Sequence, residues 1–166
     1  MPMITLTVNG RDHQLDVEAD ETLLSVLRDR LKVTSVKDAC SGQGQCGCCL
    51  ALIGGKPSKT CTLKATAVRG RPIVTLEGVD AAERQLYADA FQAAAGVQCG
   101  FCTPGLVVRI KALTDAGEAT DRQEIAAALD GHLCRCTGYK KVIDAVELIR
   151  DVKAGVKPHP QPMTDG

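Results

Sequence analysis

The chain has 166 residues, with 20 Lys+Arg against 20 Asp+Glu, and it sets nine cysteines beside only two Phe, two Tyr and no Trp. Zero formal charge excludes the one-signed basic surface that binding to a phosphate backbone requires, and no apolar run approaches the roughly 18 residues that span a bilayer. The opening run MPMITLTVNGRDH has neither a basic n-region nor an apolar h-region, and no Arg-Arg pair occurs, so a cytoplasmic location is expected.

Length allows two units of about 80 residues, each near the size at which apolar burial alone is marginal. Nine thiols in a reducing compartment then point to metal or redox chemistry rather than to disulfides.

Along the chain, Ile4, Leu6 and Val8 alternate with threonines, Asn9-Gly10 is a turn dipeptide, and Leu15 and Val17 alternate with polar residues, which predicts a β-hairpin. Asp20, Glu21 and Thr22 are each suited to cap the short helix marked by Leu23, Leu24, Leu27 and Leu31. Residues 39–49 show no periodicity. They precede the apolar run Leu50-Ala51-Leu52-Ile53, a Gly54-Gly55 turn and a second run, Ile73-Val74-Thr75-Leu76. The reading to residue 78 is a small mixed sheet with one helix.

Beyond Gly78 the pattern becomes helical. Residues 81–95 are Ala-rich with Leu86 and Phe91 on one face. Thr103 reads as an N-cap and Pro104 as the first helical residue of a segment through Val107, Ile110 and Leu113, which Gly117 ends. Thr120 with Gln123 forms a capping box for a helix to Leu129, and Thr137 reads as the cap of a fourth helix with Val142, Ile143, Val146 and Ile149. The Pro-rich stretch KPHPQPMTDG has no apolar face and reads as disordered or as a strap on a partner.

Eight cysteines form two sets of four. Cys40, Cys46, Cys49 and Cys61 follow C-x5-C-x2-C-x11-C, close to the plant-type ferredoxin spacing that wraps one loop around a [2Fe–2S] rhomb. Gly42, Gly44 and Gly47 suit a loop whose N–H groups face inward. The other set is Cys99-x2-Cys102 and, after 31 intervening residues, Cys134-x-Cys136. Cys102 and Cys136 each immediately precede an expected helix start, so two helix N-termini are expected to face one anionic cluster and to favour its reduced form. Four thiolates per site equally suit structural zinc, which leaves a zinc-stapled interaction module as the alternative; Cys134-x-Cys136 tilts toward iron.

The runs CGFCTPG (99–105) and CRCTGY (134–139), with the glycine-rich CGxC loop before them, resemble the small iron–sulfur subunit of the molybdenum hydroxylases, the xanthine dehydrogenase and aldehyde oxidase family. The resemblance covers about residues 3–152. It implies an α+β chain: an N-terminal β-grasp, ferredoxin-like domain (1–78), an all-α four-helix domain (79–152) and a Pro-rich tail (153–166), with one [2Fe–2S] cluster per domain. It also implies an electron-transfer subunit with no catalytic residue of its own. Its partners would be a large molybdopterin subunit, where substrate reacts, and a medium FAD subunit or, in some relatives, a cytochrome acceptor. The cluster on Cys99, Cys102, Cys134 and Cys136 would lie nearer molybdenum, that on Cys40, Cys46, Cys49 and Cys61 nearer flavin, and Gln98 and Cys136 would contact the pterin. A free-standing two-cluster ferredoxin has no use for such contacts.

The loop departs from the family pattern in having five residues between Cys40 and Cys46 and a cysteine, Cys48, at the variable position of CGxC. Cys48 therefore competes with Cys46 and Cys49 as a ligand, and the x2 spacing favours Cys49.

Other signals are set aside. Residues 42–47 spell G-x-G-x-x-G but neither follow a strand nor open a helix. His132 is not needed as a Rieske-type ligand where four thiolates are available, and reads as a capping or solvent-facing residue. Phe101 reads as hydrophobic cover. Asp20-Glu21 and Asp144/Glu147 read as caps or solvated helix faces rather than an acid/base couple.

Overall fold

The computed structural model describes residues 3–118 and 121–161. They form two compact units. The first takes the chain to Val79 together with Phe101–Ala112 and Gly131–Leu133; the second takes Asp80–Gly100, Leu113–Asp130 and the chain from Cys134 onward.

In the first unit, β1 (Met3–Val8) and β2 (Arg11–Asp16) form the expected antiparallel hairpin, and Asn9 and Gly10 both take positive φ as its two-residue turn demands. A sheet of order β2-β1-β5-β3-β4 follows, with β3 (Leu50–Ile53), β4 (Lys56–Lys59) and β5 (Ile73–Val74); β1 and β5 run parallel, the other pairs antiparallel. The fold is a β-grasp. Its grasped helix is α1 (Leu23–Ser25), which Thr22 caps through its side chain and which continues as a π turn over Val26–Arg30.

The hairpin's alternation and the helix's 3–4 spacing meet in one core of Ile4, Leu6, Val8, Leu23, Leu27, Ile53 and Ile73. Strand β3 is buried on both faces. Ala51 and Ile53 point into that core, while Leu50 and Leu52 pack with Val108 of α3 (Thr103–Asp115). This is why β3 reads as a continuous apolar run rather than an alternating one. Helix α3 thus packs on the face of β3 opposite the core that holds Cys49 and Cys61.

In the second unit, α2 (Ala81–Ala93) packs on α5 (Lys140–Lys153), and α4 (Arg122–Ala128) also packs on α5. Asp80 caps α2. The Nζ of Lys153 joins Glu83, Thr114 and Asp115 at 2.6, 3.1 and 2.6 Å, linking α2, the end of α3 and α5. Arg122 pairs with Asp144 at 2.7 Å and Glu147 at 2.6 Å, so those carboxylates face a guanidinium on α4 rather than bare solvent.

Three expectations are corrected. Asp121 caps α4 through Gln123 N and Glu124 N; Thr120, read as that cap, lies outside the described residues. Helix α5 opens at Lys140 behind a left-handed Tyr139, so Thr137 is a turn residue rather than a cap and no helix starts at Cys136. The tail is tied down at His159, whose Nε2 lies 2.8 Å from Oδ2 of the buried Asp89; residues 162–166 lie outside the described residues. No helix among the described residues is long and apolar enough to cross a membrane.

Candidate metal centres

Residues 40–49 make no helix or strand, and Ser41, Gly42, Gly44 and Gly47 all take positive φ, which curls the loop around its own thiols. The backbone N–H groups of Cys46 and Gln45 face the Cys40 sulfur and hold its pKa down to about 7. Cys46 also bonds Cys40 through its side chain. Cys61 comes from the 3-10 turn Thr60–Thr62 after β4, where burial and a hydrogen bond with Cys49 push its thiol up to about 12 while the Gly44 N–H acts the other way. Thr60, fully buried, fastens this side by donating from both N and Oγ1 to the Cys49 carbonyl at 3.3 and 2.8 Å.

Among the described residues, no group of three or more His, Cys, Asp or Glu is arranged to hold a single metal ion. Side-chain hydrogen bonds join Cys40 with Cys46 and Cys61 with Cys49, and Cys46 also meets Cys48; two pairs of thiolates are what the two irons of a [2Fe–2S] rhomb require.

Cys48 takes a different part. Its thiol is buried and donates to the Cys46 carbonyl at 3.8 Å. Burial first, then the neighbouring Cys46 thiol, raises its pKa to about 12.

Cys102 belongs to the same compact unit. Its carbonyl accepts the first bond of α3, from Leu106 N at 3.0 Å, so Cys102 itself stands at the N-cap and Thr103 is already helical, one residue earlier than the sequence suggests. That carbonyl also faces Nε2 of His132 at 3.3 Å. His132 is 3% exposed, which overturns its reading as a capping or solvent-facing residue. Burial lowers its imidazole pKa to about 4. Space for the ring exists because two neighbours lack side chains: a Cβ at Gly47 would come within 2.7 Å of Nδ1, and one at Gly105 within 2.8 Å of Cε1. The next residue, Leu133, donates its N–H to the Cys46 carbonyl at 2.8 Å. No periodicity marks His132 as buried; the legible signal was the pair of glycines that make room for it.

Phe101, expected as cover, is exposed, with the Lys37 ammonium 5.2 Å from its ring centroid.

In the second unit the Sγ atoms of Cys99 and Cys136 are 3.5 Å apart and both residues are exposed. Cys134 is fixed from two directions: its N–H donates to the Tyr139 hydroxyl at 2.8 Å, and its sulfur accepts from Thr137 Oγ1 at 3.1 Å. Gln98 Nε2 donates to the Cys136 carbonyl at 3.1 Å. The Cys99 thiol bonded to it raises the pKa of Cys136.

Two sequence-family profiles match the chain: a 2Fe-2S iron-sulfur cluster binding domain over residues 6–76 and a [2Fe-2S] binding domain over residues 75–147. The nicotinate dehydrogenase small FeS subunit of Eubacterium barkeri is 41% identical over 144 residues, covering 86% of this chain and 91% of its own length. This chain belongs to the small iron–sulfur subunits of the molybdenum hydroxylase family. The nicotine 6-hydroxylase small subunit of Paenarthrobacter nicotinovorans is 37% identical, covering 86% of each chain. Among solved structures, quinoline 2-oxidoreductase from Pseudomonas putida 86 superposes with a TM-score of 0.83 at 33% identity over 94% of this chain and 98% of the matched one. Aldehyde oxidoreductase from Desulfovibrio gigas gives a TM-score of 0.88 at 39% identity, but there the chain spans only 18% of a longer polypeptide.

As an iron–sulfur subunit of this family, the chain is an electron-transfer component of a multi-subunit oxidoreductase with larger partner subunits. Between the metals that thiol spacing alone leaves open, both profiles favour iron–sulfur over zinc.

Proposed function

We propose that Cys40, Cys46, Cys49 and Cys61 hold one [2Fe–2S] cluster and that Cys99, Cys102, Cys134 and Cys136 hold the other, in domains spanning 1–78 and 79–152 with a tail from 153 to 166. The observation that carries this reading is the pairing of Cys40 with Cys46, inside a loop that aims backbone N–H groups at sulfur, and of Cys49 with Cys61 from the turn after β4. A [2Fe–2S] cluster, when bound, supplies a one-electron carrier.

The protein's own residues do the rest. The loop amides at Cys46 and Gln45 stabilise thiolate at Cys40, and Thr137 and Tyr139 orient Cys134. Cys48 keeps its proton and serves as packing rather than as a ligand. Gln98 holds the Cys136 carbonyl at a surface where both Cys99 and Cys136 are exposed. That surface is suited to receive the pterin of a large molybdopterin-binding subunit. A medium FAD subunit takes the electrons onward, in the cytoplasm, and substrate is transformed on the partner chain.

Single Cys61→Ser and Cys136→Ser variants, purified with their partners and reduced by dithionite, test the assignment by low-temperature EPR. Each is expected to lose one [2Fe–2S] signal and keep the other, and the two variants lose different signals. Two intact signals in Cys61→Ser would contradict the ligand set.

A further inference from the structure

Around the start of α3 a single side chain touches pieces of both proposed ligand sets. His132 is buried, its Nε2 faces the Cys102 carbonyl at 3.3 Å, and its ring fits only because Gly47 and Gly105 have no Cβ. Gly47 lies between Cys46 and Cys49 in the loop, and Gly105 lies in the first turn of α3, three residues after Cys102. A Cβ at Gly105 would also meet the Gly47 carbonyl at 2.8 Å and the Cys48 Cα at 3.2 Å, so the loop and the helix are already in close contact there. The segment is pinned once more by Leu133 N–H on the Cys46 carbonyl at 2.8 Å. All of these residues belong to one compact unit.

We propose that His132 is a positioning residue for electron transfer, holding the Cys102 carbonyl by its Nε2–H while its ring wedges the first turn of α3 against the Cys46–Cys49 loop. The inference rests on the ligand sets proposed above. With Leu106 N–H as the other donor, the Cys102 carbonyl accepts two hydrogen bonds, which fixes the peptide that carries the thiolate. An N–H pointed toward a ligand's backbone also places the positive end of a dipole near the site. It therefore favours the reduced, more negative state. Neither the capping pattern nor thiol spacing requires a histidine here, because the helix already has its first acceptor in Cys102.

The experiment uses the assembled complex in a Cys61→Ser background, where the remaining EPR signal belongs to the cluster on Cys102, and compares it with the otherwise wild-type complex. His132→Leu keeps apolar bulk and removes the donor; His132→Gln returns an amide donor. Redox titration followed by EPR is expected to show His132→Leu shifting that cluster to lower potential with altered g-values, while the other cluster, read in the Cys61-containing complex, stays in place. Iron loss to a chelator is expected to be roughly tenfold faster. His132→Gln is expected to restore both readouts. Unchanged potential and iron retention in His132→Leu overturn the inference, as does a shift that His132→Gln fails to restore, or an equal shift of both clusters. If His132→Leu does not assemble, His132→Met, which also lacks a donor and is more adaptable in shape, is to be measured instead and must give the same downward shift. Should the unmodified complex lack two signals, the ligand reading fails rather than the role of His132.

Discussion

At the scale of single residues, nine thiols divide by what surrounds each one. Cys40 faces backbone N–H groups that lower its pKa to about 7, whereas Cys48, two residues beyond Cys46, is buried with its proton committed to a carbonyl. A ligand must give up its proton to iron; burial opposes that equally at Cys61, so what sets Cys48 apart is its thiol donating to the Cys46 carbonyl. Cys48→Ala is therefore expected to keep iron content and both EPR signals, at a cost of about 1 kcal/mol in a denaturant melt for the lost buried atom. Loss of one signal would make Cys48 a ligand after all. Spacing alone already preferred Cys49 to Cys48, but the hydrogen bond that supports the preference depends on how the loop folds. His132 marks where residue-level legibility ends: a histidine two positions before a cysteine looks like surface until Gly47 and Gly105 are seen to vacate the space around it.

At the scale of elements, those with an apolar period were legible and those without were not. The hairpin, the helix after Thr22 and the run Leu50–Ile53 all follow from spacing. Strand β4, Lys-Pro-Ser-Lys, does not, because an edge strand held by backbone pairing to β3 needs no apolar face and tolerates its proline. Thr137 followed by Gly138 looks like a helix start, yet its hydroxyl is engaged with Cys134 and with the Tyr139 N–H, so the chain turns once more before α5 begins. Local side-chain bonds to a site thus outcompeted capping. The grasped helix is short and passes into a π turn, so its stability comes from packing rather than propensity. Leu27, fully buried in that core, is the place to test this. Leu27→Ala is expected to lower unfolding free energy by about 2–5 kcal/mol in urea titration; a loss under about 1 kcal/mol would show that the core is held elsewhere.

At the scale of the whole molecule, a chain of 166 residues with almost no aromatic side chains forms two compact units, with Cys102 in the first and Cys99, Cys134 and Cys136 in the second. Units this small commonly need staples beyond apolar burial, and iron–sulfur ligation supplies stabilisation together with electron transfer. The α+β architecture was legible because it depends on local pattern. The grouping of Phe101–Ala112 and Gly131–Leu133 with the first unit was not, since it depends on apolar side chains of α3 meeting Leu50 and Leu52 across long sequence separation. All of this rests on one chain carrying two [2Fe–2S] clusters. The decisive measurement is low-temperature EPR with spin quantitation on the natively purified complex reduced with dithionite. Two distinct S = 1/2 signals at about one spin each per chain are expected; one signal, or none from protein that retains its metal, would contradict two clusters.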